Sequence, residues 1–188
     1  MENRLLKRAF EWVGRDTGED FLQEEEYCST RDMFQARLQS LSLRLGQSGF
    51  KEYTLFIAVI GEIGNNAFDH NLGKWRDVSG IYFDLDLIEK AVIIADRGQG
   101  VRTTLTQVDP TLMSDLAALE MAFTRRISGR SPEQRGNGLK FVKSVTEKQK
   151  WNLDFFSGIG KASIEKGNAI QFGEFERDVK GTIAFIHI

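Results

Sequence analysis

The chain has 188 residues, enough for one domain with a full core, and its 41% hydrophobic and 28% charged residues, with Gly 18 and Pro 2, exclude the disordered and collagen-like classes. Lys and Arg total 25 against 27 for Asp and Glu, so no basic surplus exists to follow a phosphate backbone, and nucleic acid is not an expected partner. Cys28 is the only cysteine and His70 and His187 the only histidines, which excludes an intramolecular disulfide, a thiolate zinc cluster and a paired-histidine metal site.

Met1 to Arg15 mixes Glu2, Arg4, Lys7, Arg8 and Glu11 with its apolar residues and lacks the apolar core of a signal peptide. No later stretch approaches the roughly 18 apolar residues of a membrane helix. A cytoplasmic protein without membrane insertion is therefore expected. Leu5, Leu6, Phe10 and Val13 stand at near-helical spacing and are followed by the run Glu24, Glu25, Glu26, which reads as a solvated connection. Residues 1–30 are thus expected to form a helical N-terminal extension ahead of a main domain over 31–188.

A second helix is predicted from Ser29 or Thr30, with Phe34, Leu38, Leu41 and Leu45 on one stripe and a stop at Gly46 to Gly49. A third runs from Glu52 to His70. Gly80–Leu87 and Ala91–Ala95 read as a hairpin turning around Glu89 and Lys90, followed by a glycine-containing loop from Asp96 to Gly100. Ser114 can cap a helix carrying Leu116, Leu119, Glu120 and Phe123, and after the polar segment Thr124–Gln134 another helix begins near Gly138 with Leu139, Val142 and Val145. Strands are predicted over 151–157, 160–165, 168–175 and 181–187. Strands and helices do not alternate strictly, which predicts an α+β layered domain rather than a doubly wound one.

Glu62, Asn66, Asp69 and His70 share a narrow face of the third helix at about 100° per residue. The same stripe, followed backward, contains Val59 and Leu55, which argues for a largely buried helix whose polar groups face an internal cleft. A solvated helix end is the alternative, because Asn and Asp are common near helix termini. The run Ala91 to Val101 delivers Asp96 to the end of an apolar strand, and Gly98 and Gly100 then let the backbone turn sharply. An ordinary strand-to-loop turn explains this equally well. It is not the dinucleotide fingerprint, since the third glycine position is Thr103 and no helix clearly opens there.

Arg135-Gly136-Asn137-Gly138-Leu139 directly precedes a helix, where exposed amides bind anions, and Arg125, Arg126 and Arg130 stand against only Glu133 nearby. The plain alternative is a glycine-rich N-cap. Gly158-Ile159-Gly160-Lys161-Ala162 is not a P-loop, because Phe155 occupies the upstream glycine position and Ala162 the hydroxyl position. Gly181-Thr182 opens the last strand.

Taken in order, Glu62-x-x-x-Asn66-Ala67-x-x-His70, Asp96-x-Gly98-x-Gly100, Gly136-x-Gly138-Leu139 and Gly181-Thr182 resemble the N, G1, G2 and G3 boxes of the GHKL ATP-binding superfamily, over residues 30–188. The pattern is most similar to the anti-sigma-factor serine/threonine kinases. The resemblance implies a Bergerat fold: a two-layer α+β sandwich, its mixed, mostly antiparallel sheet covered on one face by helices. It implies ATP and Mg²⁺ as ligands, with Asp96 accepting the adenine amino hydrogen, Thr182 assisting near the base and Asn66 offering its amide oxygen to the ion. Gly98 and Gly100 would shape the adenine pocket. Gly136, Asn137 and Gly138 would present amides to the phosphates, with Arg135, Leu139 and His70 also among the nucleotide-binding positions.

Glu62 would act as the catalytic base, a carboxylate that the family's sensor histidine kinases generally lack and its ATPases and anti-sigma-factor kinases keep. His70 looks like the anti-sigma kinases. Asp69 stands where the chaperone, gyrase and mismatch-repair ATPases carry an aspartate, but those enzymes use a further domain that supplies a lysine, expected to be absent here because the chain ends with the G3 strand. Residues 1–50 contain no histidine, which leaves a self-contained histidine kinase no phosphoacceptor in that segment. The expected function is a Mg-ATP-binding regulatory protein resembling an anti-sigma-factor kinase, acting on a regulatory protein partner in trans. The alternatives are a nucleotide-dependent partner-binding module or slow ATPase without phosphotransfer, or a detached histidine-kinase-like catalytic domain. A homodimer is also compatible with the pattern.

Overall fold

A computed structural model describes residues 3–125, 137–166 and 168–188. Helix α1 (Arg4–Gly14) begins where the Asn3 side chain accepts the Leu5 N–H, and it buries Leu5, Ala9, Trp12 and Val13. Glu26, expected in a solvated run, instead lies 2.5 Å from the Arg8 guanidinium, leading into the short strand β1 (Tyr27–Cys28). Helix α2 (Arg31–Gln47) starts where Thr30 Oγ1 accepts the Met33 N–H, and it buries the stripe Phe34, Leu38, Leu41 and Leu45. Helix α3 (Tyr53–Asn71) packs against it. The contact is close because residue 64 is glycine: a Cβ there would lie 2.2 Å from the Phe34 ring.

The hairpin β2 (Ile81–Asp86) and β3 (Ala91–Asp96) follows. Helix α4 (Gly100–Thr106) then opens at Gly100, where no helix was expected, and α5 (Asp115–Thr124) starts where Ser114 accepts the Ala117 N–H. Helix α6 (Gly138–Gln149) leads into β4 (Asn152–Ile164) and β5 (Gln171–His187). These two long strands replace the four short ones predicted. Gly158, at φ +59°, marks a bulge with register shifts between Phe156, Gly158 and Gly160, so the irregularity bends the ribbon without ending it. Phe175, in the offset stretch of β5, lies 4.7 Å from Phe156 and 5.3 Å from Phe10 between ring centroids, fastening the bulged ribbon to α1.

Among the described residues the strands form one five-stranded sheet in the order β1-β2-β3-β5-β4, and every pairing is antiparallel. Central β3 is buried along its whole length, which explains its unbroken apolar run: both of its faces are covered. Val92 and Ile94 pack with Phe34, Ile60, Leu119 and Val142 of the main helical layer, while Ile93 and Ala95 pack with Trp12, Tyr82 and Ile183 on the opposite side. The architecture is the α+β layered sandwich that the resemblance implies, with α1 added against the back of the sheet.

Candidate functional site

A cavity of about 500 Å³ opens between α3, the end of β3, α4, the start of α6 and the start of the last segment of β5. Its wall brings together Glu62, Asn66 and His70 from α3, Asp96 and Gly100 from the β3–α4 junction, Asn137, Gly138 and Leu139 at α6, and Thr182 from β5. Asp69 lines it too, but its carboxylate is paired with Arg31 of α2. Arg135 and Gly136, like Arg126 and Arg130, lie outside the described residues. Gly98 is not among the lining residues. Apolar contact comes from Ile63, Val101, Leu105, Ala122 and Phe155, giving the mixed character of a small-molecule pocket.

Asp96 is 1% exposed. Burial pushes its carboxyl above the ordinary value, opposed by hydrogen bonds from Thr182, the Gly98 N–H and Asn71. Its Oδ1 accepts the Gly98 N–H at 2.8 Å and Asn71 Nδ2 at 3.0 Å, and its Oδ2 accepts the Thr182 hydroxyl. Two glycines permit this crowding. Gly100 has φ +75°, and Gly181 has φ +130° with its missing Cβ directed to within 2.0 Å of the Asp96 carbonyl oxygen. Ser157 locks the same crossing: its Oγ accepts the Val101 N–H at 2.9 Å and donates to the Gly181 carbonyl at 3.0 Å.

At the other end, a Cβ on Gly138 would lie 2.6 Å from Glu62 Oε2 and 3.2 Å from Asn66 Nδ2. The α6 N-terminus therefore meets α3 where the carboxylate and amide project. Asn137 makes no side-chain cap, so among the described residues no side chain caps the first backbone N–H groups of α6, the kind of groups that bind anions. Among the described residues no group of three or more His, Cys, Asp or Glu could hold a metal ion. The donor set is compatible with Mg²⁺ bound through a nucleotide: Asn66 would supply one amide oxygen, and such an ion takes its remaining ligands from phosphate oxygens and water.

Sequence reasoning missed Asn71, Ser157 and Arg97. Asn71 stands about 180° around the helix from Glu62, so a helical projection puts it on the wrong face. It reaches Asp96 because α3 ends there. Arg97 follows Asp96 but faces the back of the sheet, fully buried. Its guanidinium pairs with Asp77, with Nε 2.8 Å from Oδ1 and Nη2 2.6 Å from Oδ2, and donates to the backbone carbonyls of Trp12, Val13, Arg15 and Asp16. Burial works against the Asp77 anion, but the bonds from Arg97 and the Gly18 and Val78 N–H groups outweigh it and hold its pKa at about 2.

No family model and no curated protein matches the chain. Among solved structures, the 43K ATPase domain of Thermus thermophilus gyrase B in complex with an aminocoumarin is similar at 20% sequence identity and a TM-score of 0.43, over 70% of this chain. The match spans 33% of that structure's chain, about a third of its length.

Proposed function

We propose that the cavity binds Mg-ATP and that the protein transfers the γ-phosphoryl group to a serine or threonine hydroxyl of a regulatory protein partner, in the manner of the anti-sigma-factor kinases that its motifs resemble. The observation that carries this reading is the convergence, on one wall, of a buried acceptor carboxylate at Asp96, the helix N-terminus at Gly138, and a carboxylate and amide at Glu62 and Asn66 between them. Adenine fits the Asp96 end because it offers a donor where guanine offers an acceptor. The phosphates fit the α6 end.

Glu62 would take the hydroxyl proton of the partner's side chain as its oxygen bonds to the γ-phosphorus and ADP leaves. Pairing of Asp69 with Arg31 favours the kinase reading over the gyrase-like one, because that carboxylate is engaged by the protein itself. Calorimetry with ATP and GTP, with and without Mg²⁺, tests the binding. ATP should be preferred, and Asn66→Ala should remove the Mg²⁺ dependence while leaving the fold intact. Equal affinities for the two nucleotides overturn the adenine assignment. Labelled ATP incubated with the protein and co-purifying partners tests the chemistry: label on a partner hydroxyl supports the kinase, and release of free phosphate alone supports the ATPase.

A further inference from the structure

We infer that Asn71 is a positioning residue that sets which base the cavity accepts, by holding Asp96 as a hydrogen-bond acceptor and tying it to the loop that opens α4. The inference rests on the nucleotide reading above and adds a residue that no motif contains. Asn71 is 3% exposed and closes α3. Its Nδ2 donates to Asp96 Oδ1 at 3.0 Å, and its Oδ1 accepts the Gln99 N–H at 3.0 Å. The amide orientation is fixed by its neighbours. Turned over, it would set oxygen against the carboxylate and an NH₂ against the Gln99 N–H, both repulsive. Gln99 reinforces the junction, since its side chain donates to the His70 carbonyl at 2.7 Å and to Thr104 Oγ1 at 3.1 Å.

Gly98 carries the second, independent observation. A Cβ there would lie 2.0 Å from Asn71 Cγ and 2.1 Å from both its nitrogen and its oxygen. The glycine expected to shape the adenine pocket instead leaves space for the Asn71 amide. Position 98 therefore constrains the base indirectly, through the residue that holds Asp96.

The consequence for selectivity follows from proton chemistry. A buried carboxylate stripped of a donor gains affinity for a proton, and a protonated carboxyl can donate as well as accept. Guanine presents an acceptor oxygen where adenine presents its amino group, so an Asp96 that can donate no longer excludes guanine. Thr182 continues to hold Oδ2, but nothing replaces the side-chain donor to Oδ1.

The test is the ratio of ATP to GTP affinity, measured by calorimetry with Mg²⁺ on the full chain, alongside thermal melting. Asn71→Ala should weaken ATP binding and contract the ratio by at least about tenfold. Gly98→Ala, which expels the amide without altering it, should do the same. Asn71→Leu keeps the approximate shape and removes the donor without adding a group that can hold a proton, so it carries the test should the alanine variant fail to fold, and its ratio should contract as far. Loss of stability alone lowers both affinities together and leaves the ratio unmoved. A folded Asn71→Leu or Gly98→Ala variant with the parent's ratio overturns the inference while leaving the nucleotide reading intact. Failure of the parent chain to bind either nucleotide overturns both.

Discussion

Glu62 and Asp96 are both carboxylates on one cavity wall, but their surroundings suit them to different work. Asp96 is enclosed and held by fixed donors, which suits recognition of a single atom on a base. Glu62 is exposed to the cavity beside the α6 N-terminus, where a proton can arrive and leave. On the proposed reading, a base at that point would act in the transition state while repelling bound phosphate in the ground state. Glu62→Ala is therefore expected to bind ATP as tightly as the parent or more tightly, and to lose at least about tenfold in phosphotransfer or hydrolysis rate. Affinity, melting temperature and turnover measured on one preparation decide the matter, and unchanged turnover removes Glu62 from the chemistry.

At the scale of elements, the α2–α3 contact depends on a missing methyl group. Gly64→Ala sets a Cβ against the Phe34 ring, whose edge-to-face partner Phe83 lies 5.3 Å away between centroids and leaves it little room to move. Overpacking of this kind costs about 1–3 kcal/mol, measurable as a lower urea midpoint with an unchanged slope. The stripe that forms α2 was legible in the sequence because Phe34, Leu38, Leu41 and Leu45 repeat at the helical period and Thr30 caps them. The β2–β3 hairpin was legible for a similar reason, from two apolar runs around one turn. The β4–β5 ribbon was not, because Gly158 and Gly160 look the same in a strand end and in a bulge. Glu62, Asn66, Asp96, Gly138 and Thr182, singled out in the sequence, line one cavity, whereas Asn71 beside them and Arg97 on the other side of the sheet act through partners that no local period reveals.

On the scale of the whole molecule, the back of the sheet is held by charge as well as by packing. Arg97 is fully buried, so losing the charge in Arg97→Met leaves the Asp77 carboxylate without its cationic partner and the Trp12 and Asp16 carbonyls without their side-chain donor, while Arg76 still reaches those of Val13 and Arg15, a cost of about 3–5 kcal/mol. Because the Asp77 pKa is depressed in the folded protein, its contribution is present above the unfolded value of 3.8 and disappears as the pH falls toward about 2. Melting temperatures across that window should fall more steeply for the parent than for Asp77→Asn, which has no carboxylate to protonate. Parallel slopes would show that the acid sensitivity lies elsewhere.

The neighbouring side chains of Asp96 and Arg97 point to opposite sides of the sheet, one into the cavity and the other beneath α1. This makes the chain's tolerance of insertions and deletions sharply uneven. One residue added to or removed from β3 shifts its pairing by one, exchanging the two destinations: a guanidinium enters the cavity and a carboxylate faces the carbonyls of α1. One residue added at the exposed turn from Leu87 to Lys90 lengthens a loop and leaves both in place. In a library of single-codon insertions, soluble folded protein should be recovered from the turn and lost throughout 91–97.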